Sequence, residues 1–354
     1  MTPTVATLSE RELVARIQQR LPAAPPWLLV GIGDDAAVVE PERNRVEVLT
    51  VDAIVEGIHF DRAFTPPDAI GRRALAVNLS DLAAMGAAPR LALLSMALPD
   101  SLPIADYDAI ADGFAALARA HRVHVVGGNL TRSPGPLMID VTVAGTVKRR
   151  QALTRGGARA GDQVYVSGRL GAAAAGLAVV SRKSAVTSPV TTEDSTVDSR
   201  RATDDSLTDD SRDALIRAYL FPEPRVRLGI HLARNRAASA CIDLSDGLAD
   251  GLQRIAEASG VGITVDADAL PIEPGARAHF DAHGEDAIAR ALAGGDDCEL
   301  LFTVRPRTRR RLKAAADHGG VAITCIGECT AERAVVVRRD GALTPLPGGF
   351  THFA

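Results

Sequence analysis

The strongest constraint on this chain is a set of short aspartate-centred segments that follow apolar or glycine-rich runs. Five of them carry aspartate: GIGDDAA at 31–37, VDAIVEG at 51–57, NLSDLAAMGA at 78–87, CIDLSDGL at 241–248 and GGDDCEL at 294–300. A sixth, GGNLTRS at 127–133, has asparagine in the corresponding place. Aspartates after apolar strand-like runs are expected near the protein interior, where a carboxylate is costly unless a cation or hydrogen-bond donors meet it. Their number predicts several divalent metal ions.

The length of the chain and its order of elements predict two domains. At 354 residues, the chain is too long for one ordinary hydrophobic core. The first 148 residues alternate predicted strands and helices, and after a polar segment at 148–162 the strand QVYVS opens a second such series. We therefore predict a mixed α/β (α+β) fold with two domains, residues 1–148 and residues 149–354.

Hydrophobic periodicity locates the elements of the first domain. The predicted helices lie near 9–20, 68–85 and 104–120, and the predicted strands lie near 36–39, 46–51, 123–126 and 137–147. In the last strand, apolar residues alternate with Asp140 and Thr142, which predicts a sheet with one wetter face.

The composition excludes several classes of protein. The chain is 46% hydrophobic and 24% charged, which is typical of a globular protein, and its formal net charge is −4. This charge, with no basic run interleaved with aromatic residues, predicts no nucleic-acid partner. The apolar stretches are far shorter than a bilayer span, and the N-terminus lacks the charged-then-apolar order of a signal peptide. We predict a cytoplasmic protein with no membrane segment.

The four cysteines are sparse and indicate reduced thiols. Cys325 and Cys329 could form half of a zinc site, but no second pair or histidine cluster completes it.

The segment 184–211 breaks the α/β pattern. Serine, threonine and aspartate make up 18 of its 28 residues, and it shows no helical or strand period. Such a composition buries too little apolar surface to offset its ordering entropy. We predict a disordered surface insertion and take none of its aspartates as ligands.

In the N-terminal segments, Asp52 interrupts an apolar run and is better explained as a ligand than as a surface residue. His59 lies on the same apolar segment, either as a half-buried structural histidine or as a donor to an anionic substrate. Asn78 and Asp81 are three residues apart on a predicted helix that Asp68 could cap, so both side chains lie on one face. A metal, a phosphate or a neighbouring backbone could meet that pair.

Two other segments resemble ligand-binding turns. At 127–128, an apolar strand enters a Gly-Gly turn, which would let backbone N–H groups approach a phosphate. Asp243 ends a predicted strand, where α/β sheets place their ligands, and has no structural role that explains it. Asp246 is predicted in the first turn of the next helix, so it could be a helix cap instead.

Taken in order, the motifs GDDAA, VDAIVEGIHF, ALAVNLSDLAAMGA, VGGN-x-TRS, ALTRGGARAGD, IDLSDGL and GGDDCELLFT resemble those of thiamine-monophosphate kinases, a family in the aminoimidazole-ribonucleotide synthetase-like superfamily of ATP-using enzymes. The resemblance covers essentially the whole chain outside 184–211. It implies a homodimer in which the N-terminal sheets of two subunits pair, with ATP bound near that interface. It also implies phosphorylation of thiamine phosphate by ATP to give thiamine diphosphate.

The resemblance assigns roles residue by residue. The positions that match magnesium ligands are Asp35, Thr50, Asp52, Asp81, Asn129, Asp243 and Asp246. Those that match ATP contacts are Gly128, Arg155 and Ser245, and those that match substrate contacts are His59, Asp296 and Phe350. Asp52, Asp81, Asp243 and Arg155 are the catalytic candidates, with direct in-line transfer assisted by several Mg²⁺ ions and no phosphoenzyme.

The chain departs from the family pattern at several positions. Val51 stands where threonine is usual, which we expect to remove a hydroxyl next to the metals, and Asp296 is one methylene shorter than the usual glutamate. Cys298 replaces an aromatic residue, and Phe221 replaces an arginine. The alternatives are therefore a binding protein that has lost catalysis, or another ATP-using member of the superfamily.

Overall fold

The computed structural model describes residues 2–187 and 207–347. Phe350 lies outside these residues, and so does most of the predicted insertion, although residues 184–187 and 209–211 within its predicted bounds are helical. The chain divides into two compact units. One consists of Met1–Ala152 with Pro224–Arg234, and the other of Leu153–Glu223 with Asn235–Ala354. Over the described ranges, no helix has both the length and the hydrophobicity needed to cross a bilayer.

The first unit contains most of the chain's N-terminal elements. In order these are α1 (Glu10–Gln18), β1 (Leu28–Val30), β2 (Val38–Val39), β3 (Arg45–Val55), α2 (Pro67–Ala84), β4 (Ala88–Pro99), α3 (Ile104–Ala120), β5 (His124–Ser133) and β6 (Met138–Lys148). The prediction of helices near 9–20, 68–85 and 104–120 is confirmed. Helix α1 starts after Ser9 because Ser9 and Glu12 form a reciprocal capping box.

A four-stranded sheet with the order β3-β6-β4-β5 forms the centre of this unit. Strands β4 and β5 are parallel, and the other pairs are antiparallel. One face is closed by buried residues such as Leu94, Ile139 and Val141, and α2 packs against this sheet and against α3. The opposite face keeps apolar side chains exposed. Their exposed fractions are 70% for Leu49, 58% for Val51, 40% for Leu93 and 36% for Met138.

Helices α2 and α3 approach at backbone distance. A Cβ added at Gly71 would lie 1.9 Å from the carbonyl oxygen of Ile110, and one added at Gly113 would lie 1.9 Å from that of Asp68. Each helix therefore places one glycine against the backbone of the other, and these two contacts fix the position of α2 relative to α3. The predicted cap was wrong: Pro66 occupies the N-cap position of α2, and Asp68 lies in the first turn.

The second unit is built on a seven-stranded sheet with the order β13-β12-β9-β11-β7-β10-β8. Its elements and the helix α6, which belongs mainly to the first unit, are β7 (Gln163–Ser167), α4 (Ala172–Thr187), α5 (Asp209–Leu220), α6 (Val226–Asn235), β8 (Ala240–Asp243), α7 (Leu248–Ser259), β9 (Gly262–Asp266), α8 (Pro274–Ala282), α9 (Ala287–Ala293), β10 (Leu300–Val304), α10 (Arg309–Gly319), β11 (Ile323–Thr330), β12 (Val335–Arg339) and β13 (Ala342–Pro345). Buried aliphatic residues from β7 to β12 and α7 form its core.

Two local predictions were wrong. Strand β4 was not predicted, and Gly127 and Gly128 lie inside β5 rather than in a turn after it. The two errors have one cause, because β5 continues to Ser133 by pairing with β4. A Cβ at Gly128 would lie 1.8 Å from the carbonyl oxygen of Leu94, so glycine is required there by the neighbouring strand.

Candidate active site

Strand β3 and helix α2 bring three of the predicted ligands together. Thr50 and Asp52 are two residues apart on β3, so they share the face of the sheet that α2 covers. The Thr50 hydroxyl donates a short hydrogen bond to Oδ2 of Asp81, which lies near the C-terminal end of α2. Val51 faces the opposite side of the strand from Thr50 and Asp52 and is 58% exposed.

Asn129 lies far from this group across the sheet. Asp52 is in register with Val141, Leu94 and Gly128, whereas Asn129 belongs to the next row, beside Ser95. Three strand spacings separate β3 from β5, which places the Cα atoms of Asp52 and Asn129 at least about 14 Å apart. Each side chain with a Mg–O bond of about 2.1 Å spans only about 5 to 6 Å from its Cα. One ion cannot bind both.

His59 is held in a defined tautomer. Its Nδ1 accepts a hydrogen bond of 3.1 Å from the backbone N–H of Val55, so the neutral ring carries its proton on Nε2. The residue is half-buried beyond the end of β3. This geometry agrees with both interpretations of His59 from the sequence, as a structural histidine and as a donor through Nε2.

The exposure of the N-terminal acids differs from the prediction. Asp35 and Asp52 are exposed, because Asp35 lies in the turn before β2 and Asp52 lies on an edge strand. The backbone N–H of Asp35 donates to Oδ1 of Asp34, so the pair forms a local turn. Asp81 is half-buried. Of the acids assigned to metal, only Asp243 lies in the interior, at 6% exposed.

The second group of predicted site residues, from segments 241–248 and 294–300, comes together because β8 pairs with β10. The strands are antiparallel, so the C-terminal end of β8 at Asp243 meets Leu300 at the start of β10. The turns that follow and precede these strands are therefore adjacent, and the N–H of Asp296 donates to the carbonyl oxygen of Ser245 at 2.8 Å. A Cβ at Gly295 would lie 2.4 Å from that same oxygen. The segments CIDLSDGL and GGDDCEL thus form one site, although 45 residues separate them in the sequence.

Asp246 does not cap α7. The N-cap residue is Gly247, with φ of 96°, and Asp246 precedes it. Its carboxylate instead lies 3.6 Å from the guanidinium of Arg254, which lies further along α7. The predicted position in the first turn was wrong, and the capping alternative is removed because Gly247 makes the turn into the helix.

Arg155 lies near the C-terminal end of α7. Its carbonyl oxygen accepts a hydrogen bond from the Ser259 hydroxyl at the C-terminal end of α7, and the same hydroxyl accepts from the N–H of Gly157. Asp246 precedes the N-terminal end of α7, and a helix of 12 residues is about 18 Å long. The exposed Arg155 therefore lies at the end of α7 that is away from Asp246.

Two acids that the sequence analysis did not consider fix the 294–300 turn. The Asp297 carboxylate accepts from the N–H of Gly171 at 2.8 Å and of Ala173 at 3.2 Å, at the start of α4. Desolvation raises the pKa of Asp297 to about 7, against the lowering effect of those two N–H groups. Glu299 is 2% exposed and accepts a short hydrogen bond from the Ser167 hydroxyl. The sequence signal that could have identified Asp297 and Glu299 is a group of acids directly before an apolar strand.

The donors in both groups suit magnesium. They are carboxylate and hydroxyl oxygens, and a Thr50 hydroxyl that donates to Asp81 keeps lone pairs for a cation. Among the residues that the structure describes, no three His, Cys, Asp or Glu side chains converge on one point. A dedicated all-protein cage is thus absent from the described part of the chain. The arrangement fits an ion that keeps several waters and shares phosphate oxygens.

The cysteines carry no sign of metal binding. All four are free thiols; Cys325 is exposed, whereas Cys329 is 2% exposed in the sheet. Burial raises the pKa of Cys329 to about 12, so it remains a thiol at neutral pH.

The two parts of the sequence match, in order, the two domains of one protein family. Residues 33–147 match the AIR synthase related protein, N-terminal domain, and residues 159–340 match the AIR synthase related protein, C-terminal domain. With two α/β units that each carry carboxylate-bearing turns, the molecule is an AIR synthase-related protein.

Individual relatives narrow this class. The thiamine-monophosphate kinase of Escherichia coli (strain K12) is 36% identical over 349 residues, covering 98% of each chain. The crystal structure of thiamine-monophosphate kinase from Stenotrophomonas maltophilia K279a is 38% identical, with a TM-score of 0.78, and the match covers 95% of this chain and 98% of that one. A structure of AaThiL complexed with AMPPCP and TMP is 30% identical, with a TM-score of 0.72 and full coverage of both chains. The chain belongs to the thiamine-monophosphate kinase family.

Proposed function

We propose that this protein phosphorylates thiamine phosphate with ATP, in the presence of Mg²⁺, to give thiamine diphosphate in the cytoplasm. The similarity to thiamine-monophosphate kinases over nearly the whole chain carries the proposal. The relative complexed with AMPPCP and TMP supports ATP and thiamine phosphate as the two ligands. The described site residues supply the oxygen donors that this reaction needs.

The proposed chemistry is a direct in-line transfer from ATP to the phosphate of the substrate. Both reactants are anions, so the protein must position them and offset their charge. Bound Mg²⁺ would neutralise phosphate oxygens and hold them in line. In the first unit Thr50, Asp52 and Asp81 would hold the cation, and in the second Asp243 and Asp246 would do so. No step requires a phosphorylated side chain.

The strand register supports more than one cation in the first unit. Asp52 and Asn129 are too far apart to share an ion, so at least two positions are needed if both residues bind metal. Asp35, in the exposed turn before β2, would complete one of these positions. A neutral Asn129 would bind its ion more weakly than an aspartate, because it contributes no charge.

The substrate contacts are proposed for His59 and Asp296, with Phe350 stacking on the thiamine. His59 would donate from Nε2, the nitrogen that its hydrogen bond with Val55 leaves protonated. Asp296 is held with φ of 67° by the contact of its N–H with Ser245, so its position is set by the backbone. Ser245 and Gly128 would contact ATP.

Arg155 is proposed as a fixed positive charge for ATP. Its position at the end of α7 away from Asp246 favours a contact with a part of ATP that does not react. Replacing it with alanine should then raise KM for ATP more than it lowers kcat.

A homodimer is proposed through the exposed face of the four-stranded sheet. Leu49, Val51, Leu93 and Met138 are apolar side chains on this face, and no described residue of the first unit covers them. Contiguous exposed apolar residues on a sheet face indicate a protein interface. The pairing of N-terminal sheets that the family resemblance implies would bury them.

The decisive experiment is an assay of purified protein with ATP, Mg²⁺ and thiamine phosphate, followed by separation of thiamine diphosphate. The expected result is product that depends on all three additions. ATP binding without product would contradict the kinase and support a protein that only binds its ligands. Label retained on the protein after incubation with γ-labelled ATP alone would contradict direct transfer.

A further inference from the structure

A second charged site lies in the second unit, at the N-terminal end of β8. It is a cavity of ≈ 420 Å³, and four arginines line it: Arg236, Arg305, Arg307 and Arg311. The remaining described lining residues are alanine, serine and threonine, so the lining has neither a carboxylate nor an aromatic ring. The volume falls within the range of small-molecule sites.

The arginines of this cavity have few protein partners. In the described part of the chain, no carboxylate forms an ion pair with any of the four. Arg305 donates a long hydrogen bond of 3.5 Å from Nη2 to Gly157, while its Nε is buried without a hydrogen-bond partner among the described residues. Asp162 lies behind Ser239, whose hydroxyl donates to it at 2.7 Å, and is only 3% exposed. The guanidinium groups that line the cavity therefore have few acceptors within the described protein, and an anion in the cavity would supply acceptors.

Helix α10 adds to the positive potential of the cavity. Its first turn contains Arg309, Arg310 and Arg311 and no acid, at the end where the helix dipole disfavours cations. The N-cap residue Thr308, which lines the cavity, makes no side-chain cap. Its hydroxyl hydrogen-bonds to the carbonyl oxygens of Ala237 and Arg305 instead. An anion near this turn would offset both the dipole and the repulsion among the arginines.

We propose that this cavity binds a small anion with two linked phosphates, at a site separate from the carboxylate-bearing turns of the second unit. Guanidinium groups match phosphate oxygens in pairs, and four of them suit more than one phosphate. A single-stranded nucleic acid is disfavoured because no aromatic side chain offers a stacking surface. The overall charge of −4 concealed this site in the sequence, because a net charge averages over the chain. The inference does not depend on the proposed kinase activity.

The test is calorimetric titration of the full-length chain with inorganic diphosphate, with EDTA present and nucleotide absent. Without divalent cations the carboxylate turns repel the anion, so the heat reports the arginine cavity. The variant is Arg307→Gln with Arg311→Gln, and the matched control is Arg277→Gln with Arg333→Gln, two exposed arginines of the same unit outside both the lining and α10. Arg305 is left in place because it contacts Gly157, two residues from Arg155.

We expect the wild type and the control to bind diphosphate and the cavity variant to bind at least about tenfold more weakly. Repeating the titration with ADP distinguishes the two sources of a diphosphate group: equal affinity supports the free anion, and tighter binding that the cavity variant loses supports an ester. No binding by the wild type, or equal affinities of both variants, overturns the proposal. Binding of a short single-stranded oligonucleotide in place of diphosphate assigns the cavity to nucleic acid and overturns it as well.

Discussion

At the scale of single residues, the two groups of acids are held by different means. Asp81 is positioned by the hydroxyl of Thr50 on a neighbouring strand, and Asp243 is positioned by burial at the end of a paired strand. Neither acid is a helix cap in the structure, so a structural role does not explain its charge. Both should matter for turnover more than for stability.

Replacing Asp81 or Asp243 with asparagine should lower kcat by at least about a hundredfold, because one anionic metal ligand is lost with little change of shape. The measurement is steady-state formation of thiamine diphosphate, with circular dichroism to confirm the fold. Asp100→Asn and Asp317→Asn are matched controls, since both acids pair only with exposed cations. Full activity in either test variant would break its metal assignment.

Asp297 should make stability depend on pH. Its pKa is raised to about 7 in the fold from a usual value near 3.8, so between these two pH values the folded state keeps a proton that the unfolded state has already released. The stabilisation from the protonated acid is complete below about pH 4 and is lost as the pH rises through about 7. Asp297→Asn removes this titration, so the wild type should lose unfolding free energy relative to the variant across that interval.

The measurement is denaturant unfolding of both proteins at several pH values. Asp286→Asn serves as a contrast, because hydrogen bonding to Arg339 lowers the pKa of Asp286 and its contribution is lost on acidification instead. A difference for Asp297→Asn that stays constant from pH 4 to pH 8 would refute the raised pKa.

The residue types of the site were predictable, whereas their grouping was not. Asp243 at the end of a strand could be read from the apolar run before it. The contact of Asp296 with Ser245 depends on β8 pairing with β10, and the separation of Asn129 from Asp52 depends on the order of four strands. Strand order is set by tertiary packing, which no local pattern records.

At the scale of elements, the contact between α2 and α3 is the most demanding packing in the first unit. Gly113→Ala would place a Cβ 1.9 Å from the carbonyl oxygen of Asp68, so the helices must separate. We expect a loss of about 1 to 3 kcal/mol in the free energy of unfolding, although alanine is otherwise favoured in helices. Chemical denaturation measures it.

Gly275→Ala is the control for that substitution. Gly275 is also helical and buried, but its nearest side-chain atom would be 3.4 Å away, an ordinary contact. The control should be neutral or slightly stabilising. If Gly113→Ala were equally harmless, the close approach of the two helices would be wrong.

Helices were predicted better than strands for a physical reason. Helices α2 and α3 lie within one residue of their predicted bounds, because both are long: α3 has a buried stripe, and α2 is buried at 13 of its 18 residues. Strand β4 was missed because its sequence, APRLALLSMALP, is apolar on both faces and shows no period of two. One face is buried in the unit, and the other carries the exposed Leu93.

At the scale of the whole molecule, the exposed sheet face predicts the oligomeric state. Leu49→Glu should convert a dimer to a monomer, because a charge at a residue that is 70% exposed in the single chain would be buried in the interface. Light scattering after size exclusion gives the mass. Leu343→Glu, at 60% exposed in the second unit, is the matched control and should stay dimeric. A wild type that runs as a monomer would contradict the proposed dimer.

Helix α6 packs in the first unit although it comes late in the chain. Its Gly229 would bring a Cβ within 2.0 Å of the carbonyl oxygen of Ala83 in α2, so the helix is part of that unit's packing. Residues 153–223 of the other unit separate it from the rest of the first unit in the chain. During synthesis on the ribosome, the N-terminal unit must therefore wait, with the surface around Ala83 uncovered, until that intervening stretch has emerged.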